Sequence, residues 1–113
     1  TVFLGKRKKT SEEFLMKKYT LIIWEEAEQD ISDAYIWYKE QLPGLEARFI
    51  KHLDDGFKII LKNPNTFQVV YNQKRQGIVK TFPFVIIYEL HENNILVKAV
   101  FHTSRNPGKL KRR

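Results

Sequence analysis

The sequence predicts an α+β fold: an N-terminal strand, an α-helical hairpin, then three to four antiparallel strands forming a twisted sheet with the helices on one face. Three observations carry this. The β-prone stretch at residues 19–24 gives way at Glu26 to apolar residues spaced three and four apart. Two such helical stripes are separated only by Pro43-Gly44. Finally, residues 84–90 and 95–101 are runs of β-branched and aromatic residues around His91-Glu92-Asn93-Asn94, the pattern of a β-hairpin.

Residues 19–24 read as a strand buried on both faces, because polar residues do not alternate through them. Ala27, Ile31, Ala34, Tyr35, Tyr38 and Leu42 mark one face of the first helix. Glu25, Glu26, Glu28 and Asp30 favour the positive end of its dipole. Proline restricts the residue before it and glycine relieves the turn, so Pro43-Gly44 ends this helix. Leu45, Phe49, Leu53, Phe57 and Ile60 form the stripe of the second helix, which Asn63-Pro64 stops. So short a connection forces the helices antiparallel. Gly56 costs about 1 kcal/mol of helix propensity, which implies close backbone approach there. Strands are expected over residues 67–71, 77–82, 84–90 and 95–102, with residues 72–76 a loop carrying Lys74 and Arg75.

A chain of 113 residues fits one domain with a single core. Its 42% hydrophobic and 13% aromatic content argues for a packed globule over a disordered tail. The absence of cysteine excludes disulfides and thiolate metal sites and fits a reducing compartment. No apolar run approaches a membrane span, so a cytoplasmic protein with no membrane partner is expected. Residues 1–15 are expected to be an upstream-frame or artificial extension ahead of Met16, with a native N-terminal arm as the rival, and residues 16–113 one domain with a basic C-terminal tail. The net charge of +7 is uneven. Residues 25–62 hold nine acidic and five basic side chains, whereas residues 63–113 hold two and nine. A polyanion or an acidic protein is therefore the expected partner of the later half.

The hairpin brings the cations into focus. Arg75 and Lys80 precede it and His102 and Arg105 follow, so antiparallel folding is expected to gather them at one end of the sheet. Metal-independent cleavage of RNA needs a base, cations for the transition state and an acid. Arg75, Lys80, His102 and Arg105 are the catalytic candidates if the chain is a ribonuclease, His102 being the group that titrates near neutrality. Lys74, Arg75, Lys80, Tyr88, Arg105, Lys109 and Lys111 are the candidates for contact with a target or nucleic acid. Tyr88 also reads as a core residue, and Glu89 as a surface or edge residue. His102 has equal claims as a site group and as a structural one. His52 and His91 read as solvated, and Trp37 as either wedged against a strand or a partner anchor. No metal site, cofactor motif, glycine-rich phosphate loop or nucleophile elbow is present in the sequence.

The run Arg75-x4-Lys80-x-Phe82-Pro83-Phe84-x-Ile86-x-Tyr88-Glu89, followed by Val97-x-Ala99-Val100-x-His102-x2-Arg105-x-Pro107, resembles the RelE/ParE superfamily of bacterial type II toxin–antitoxin toxins. Trp37-Tyr38, Pro43-Gly44-Leu45, Arg48-Phe49 and Asn63-Pro64 extend the likeness over roughly residues 17–107, nearer the ParE-like branch. The resemblance implies a toxin neutralised by a cognate antitoxin that wraps it, with oligomers of the complex as a further expectation. ParE-like members poison DNA gyrase without nuclease chemistry. The alternative is a RelE-like, ribosome-dependent and metal-independent mRNA endonuclease, or mRNA interferase. RelE-like nucleases carry Tyr or His near the C-terminus, and here neither follows His102. Gyrase poisoning is therefore the first expectation.

Overall fold

In a computed structural model, which describes residues 19–104, the chain forms β1 (Thr20–Ile23), α1 (Glu25–Gln41), α2 (Leu45–Lys62), β2 (Val69–Tyr71), β3 (Lys74–Val79), β4 (Phe84–His91) and β5 (Asn94–His102). The strands make one five-stranded sheet in the order β1-β5-β4-β3-β2. β1 runs parallel to β5, and the other pairs are antiparallel. The sheet is thus mixed, with one strand more than the lower expectation.

The two helical stripes pack where their periodicity puts them except at the end of the first, where Leu42, the C-cap, is exposed, and at Tyr35, which is only half-buried. Ala27, Ile31, Ala34 and Tyr38 of α1, with Phe49, Leu53, Phe57 and Ile60 of α2, share one core with Ile86, Tyr88, Ile95 and Val97. Gly44 joins the helices at φ 99°, a conformation that disfavours a side chain. Gly56 sits as its cost implies: a Cβ there would meet Ile86 Cδ1 at 3.0 Å and the Ile78 carbonyl oxygen at 3.1 Å. On β3, a Cβ on Gly77 would lie 2.8 Å from Ile60 Cδ1. These two glycines let α2 lie directly on β3.

β1 differs from expectation. It is an edge strand whose burial alternates, Leu21 and Ile23 inward, because only β5 pairs with it and only one of its faces meets helices. Where β1 ends and the chain turns into α1, β5 would lose a partner. The Asp30 carboxylate takes that place, accepting from Val100 N–H at 3.0 Å.

The second hairpin also starts earlier than expected. Residues 74–76 are strand, and residues 80–82 form the turn into β4. The cause is a tight turn at Asn72 and Gln73, with φ 47° and 66°, which lets β3 begin immediately at Lys74. Lys74 and Arg75 therefore do not sit in a loop.

β4 and β5 carry a bulge. Ile87 pairs with Ala99 and Tyr88 with Val97, so Lys98 is the extra residue. Beyond it the inward side chains are Val100 rather than Ala99, while Ile87, Ala99 and Phe101 cluster on the face away from the helices. Among the described residues no helix is long and apolar enough to cross a membrane.

Candidate functional site at the closing turn of the sheet

The expected gathering of cations is split by the strand register. Val79 pairs with Phe84, and Phe84 with His102, which brings Lys80 and His102 to the same end of the sheet. Arg75 instead pairs with Tyr88, at the far end of β3, roughly 15 Å away at the usual rise per strand residue.

Arg75 is also committed to the fold. Its Nη1 donates to the Phe67 carbonyl at 2.6 Å and to the Asn65 carbonyl at 3.3 Å. Tyr88 is sealed in the core, and its hydroxyl donates to the Pro64 carbonyl at 2.7 Å. Burial pushes the phenol up to about 12, with Arg75 pulling it partly back. Together the two side chains staple residues 64–67 to the sheet, and Tyr88 has no surface to offer a target.

Lys74 is buried as well, with its Nζ 3.2 Å from Glu89. Glu89 is a hub rather than an edge residue. It also accepts from His91 Nε2 at 2.7 Å and lies 3.8 Å from Lys98 Nζ. Burial works against the Glu89 charge, but the bonds from His91 and Lys74 and the Lys98 charge outweigh it and hold the carboxyl below its usual range. The bulge places Lys98 Nζ 3.0 Å over the Trp24 ring. Desolvation lowers the Lys98 ammonium, against the pull of Glu89. Lys74 and Lys98 thus share the one carboxylate of Glu89, and neither is exposed.

What stands at the closing turn is an aromatic rim with cations beside it. Thr81, at φ 66°, turns the chain, and Phe84 N–H donates to Phe82 O at 2.7 Å. Phe82 leaves the strand and packs inward, its ring centroid 5.1 Å from Tyr38, 5.4 Å from Phe49 and 5.6 Å from His52. His52 is therefore half-buried against a ring rather than simply solvated. Arg48 stands one helical turn before it, exposed. On the other flank Trp37 sets its ring edge-on to Tyr38 at 5.2 Å and stays 43% exposed, so it is not wedged into the core.

The sequence reading gave Arg48 only a place in the family resemblance and took His52 as solvated, assigning neither to a site. Their four-residue spacing beside the Phe49 stripe was the available signal, since it puts both on the flank of α2 at the strand ends.

His102 rests edge-on against Phe84 at 5.3 Å. Its Nδ1 accepts from Ser104 N–H at 3.2 Å, with Ser104 Oγ at 3.2 Å as well. A backbone amide can only donate, so the neutral ring keeps its proton on Nε2. With Nδ1 occupied in this way, the neutral ring has no lone pair left over with which to take a proton. Arg105, Lys109 and Lys111 lie outside the described residues. Among the described residues, no group of three or more His, Cys, Asp or Glu is placed to hold a metal ion.

A helical hairpin on one face of a five-stranded sheet, with exposed Lys80 and Arg48 at the end where the aromatic rim lies, defines a small α+β fold. Solved structures share this fold. One, described as the chromosomal ParDE TA system from P. aeruginosa, aligns with a TM-score of 0.70 at 13% identity, covering 77% of this chain and 98% of that one. Among curated proteins, none is recognisably similar in sequence. The profile of the ParE toxin of type II toxin-antitoxin systems, parDE, matches residues 21–107, and the chain belongs to that family.

Proposed function

We propose that this toxin acts in the cytoplasm by binding and poisoning DNA gyrase, and that a cognate antitoxin neutralises it in a shared complex. The family match over residues 21–107 carries the reading. The placement of the ribonuclease candidates supports it. Arg75 is tied to two carbonyls, and the Ser104 amide occupies the Nδ1 lone pair of His102. A gyrase poison needs neither. We assign the target contact to Lys80, which is exposed at the closing turn, together with Arg105, Lys109 and Lys111 of the C-terminal stretch.

Supercoiling and primer-extension assays, run on the same purified protein, test this. Gyrase-linked DNA breaks that disappear when the antitoxin is added are the expected outcome. Cuts in codon register on translated mRNA, with supercoiling untouched, would replace gyrase by the ribosome as target.

A further inference from the structure

The rings at the closing turn are arranged as a stacking surface, and nothing in gyrase poisoning as proposed requires them. Trp37 and His52 lie on either flank of the inward-packed pair Tyr38 and Phe82. Phe82 is itself only partly buried, and His102 stands partly exposed over Phe84. Core rings fix the outer ones: Tyr38 contacts Phe49 at 5.2 Å and Phe84 at 6.1 Å, so Trp37 and His52 sit on a rigid base. Arg48 on the α2 side and Lys80 on the turn supply exposed cations. Among the described residues, the acidic groups on these parts of the helices are the exposed Asp33 and Glu40 of α1, and Glu46, whose Oε1 already accepts from Gly44 N–H at 2.8 Å.

We propose that this rim binds single-stranded nucleic acid, with unpaired bases stacking on Trp37 and His52 and their phosphates meeting Arg48 and Lys80. Flat rings held rigidly beside cations suit unpaired bases, because every base offers a π-face and each phosphate a negative charge. A duplex hides those faces. DNA and RNA share this chemistry, and the 2′-hydroxyl is the feature by which a protein separates them. The contact is with nucleic acid itself and does not depend on which enzyme the toxin poisons.

The test is fluorescence anisotropy of labelled dT12 and rU12 with the full chain, measured over a range of salt. Saturable binding that quenches Trp37 emission is expected, with the quench lost in Trp37→Phe. His52→Ala and Trp37→Ala are each expected to weaken binding at least fivefold, in line with about 1–3 kcal/mol per stacked base. Lys80→Ala is expected to lower the slope of log K against log salt by about 0.7, the value for one phosphate of a single strand. Lys51→Ala and Lys58→Ala remove equal charge from lysines paired with Asp55 and Asp54, and are expected to change little. Rim variants that behave like those two controls would reduce the binding to overall charge and overturn the proposal. So would a duplex bound as tightly as the single strand, or rim variants that lose toxicity while binding oligonucleotides normally, which would make the rim a protein anchor. Preference for dT12 or for rU12 identifies which nucleic acid the rim takes.

Discussion

Arg75 offers the sharpest separation between a target-binding role and a structural one. Its guanidinium holds the carbonyls of Asn65 and Phe67, while the Tyr88 hydroxyl holds that of Pro64. Both side chains therefore restrain the same connection between α2 and β2. Hydrogen bonds from a charged donor contribute about 1.5–3 kcal/mol, and one of these two is long, so Arg75→Ala is expected to destabilise by about 1.5–3 kcal/mol. Tyr88→Phe leaves a buried carbonyl without its donor, which costs about 1–3 kcal/mol. Once either staple is gone the connection can move, and the second has less to hold. The double variant should then be less destabilised than the sum of the singles, by about 0.5–1.5 kcal/mol. Urea unfolding of the four proteins, followed by circular dichroism, measures this directly. Additivity within about 0.5 kcal/mol would refute the shared staple. An Arg75→Ala protein with an unchanged midpoint and lost toxicity would return Arg75 to the target surface.

Phe57 is fully buried on α2, so Phe57→Ala should cost about 3–5 kcal/mol, and a parent-like urea midpoint would show α2 facing the wrong way. Glu89 has its carboxyl held below the usual range, so its stabilisation is present above pH 4.5 and is lost as the pH falls through the lower folded value. Glu89→Gln should therefore be less stable than the parent at pH 7, with the gap closing in acid; a gap that stays constant with pH contradicts the hub. Tyr88, pushed up to about 12 by burial, stabilises fully below its ordinary value of 10.0 and loses that contribution as the pH rises through about 12. Ultraviolet titration of the folded protein should show a component near pH 12, and Tyr88→Phe should remove it.

The helices were legible in the sequence because their signals are local. The Ala27, Ile31, Ala34, Tyr38 stripe and the Phe49, Leu53, Phe57, Ile60 stripe each follow one period, and Pro43-Gly44 and Asn63-Pro64 end them without ambiguity. The turn at Asn72 and Gln73 was not legible. A two-residue hairpin is announced by Asn-Gly or Asp-Gly, whereas here glutamine occupies the positive-φ position that glycine normally fills. Three strand residues, Lys74 to Gln76, were read as loop for that reason. The bulge at Lys98 was hidden for a related reason. Simple alternation puts His102 on one face with Leu96, Lys98 and Val100, but one inserted residue reverses the parity beyond it, so Val100 joins Ile95 and Val97 in the core while Leu96 pairs with Glu89 away from it.

Those two register events decide what the charge of the sheet half can do. Counted along the sequence, Lys74, Arg75, Lys80 and Lys98 are four equal cations of one basic surface. In the fold, early entry into β3 carries Lys74 to Glu89 and Arg75 to the carbonyls of the α2–β2 connection, and the bulge lays Lys98 over Trp24. Of the four, Lys80 alone is exposed. Phosphoryl chemistry needs several cations and a base converging on one phosphate, a demand these positions do not meet among the described residues. Binding asks less, because exposed cations spaced along a rim can each meet a separate anionic group. Moving positive charge into the fold therefore weakens the nuclease reading far more than the target-binding one. It also shifts attention from the strands, where the sequence concentrates charge, to the turn and the α2 flank, where Lys80 and Arg48 are exposed and His52 is half-buried against the Phe82 ring.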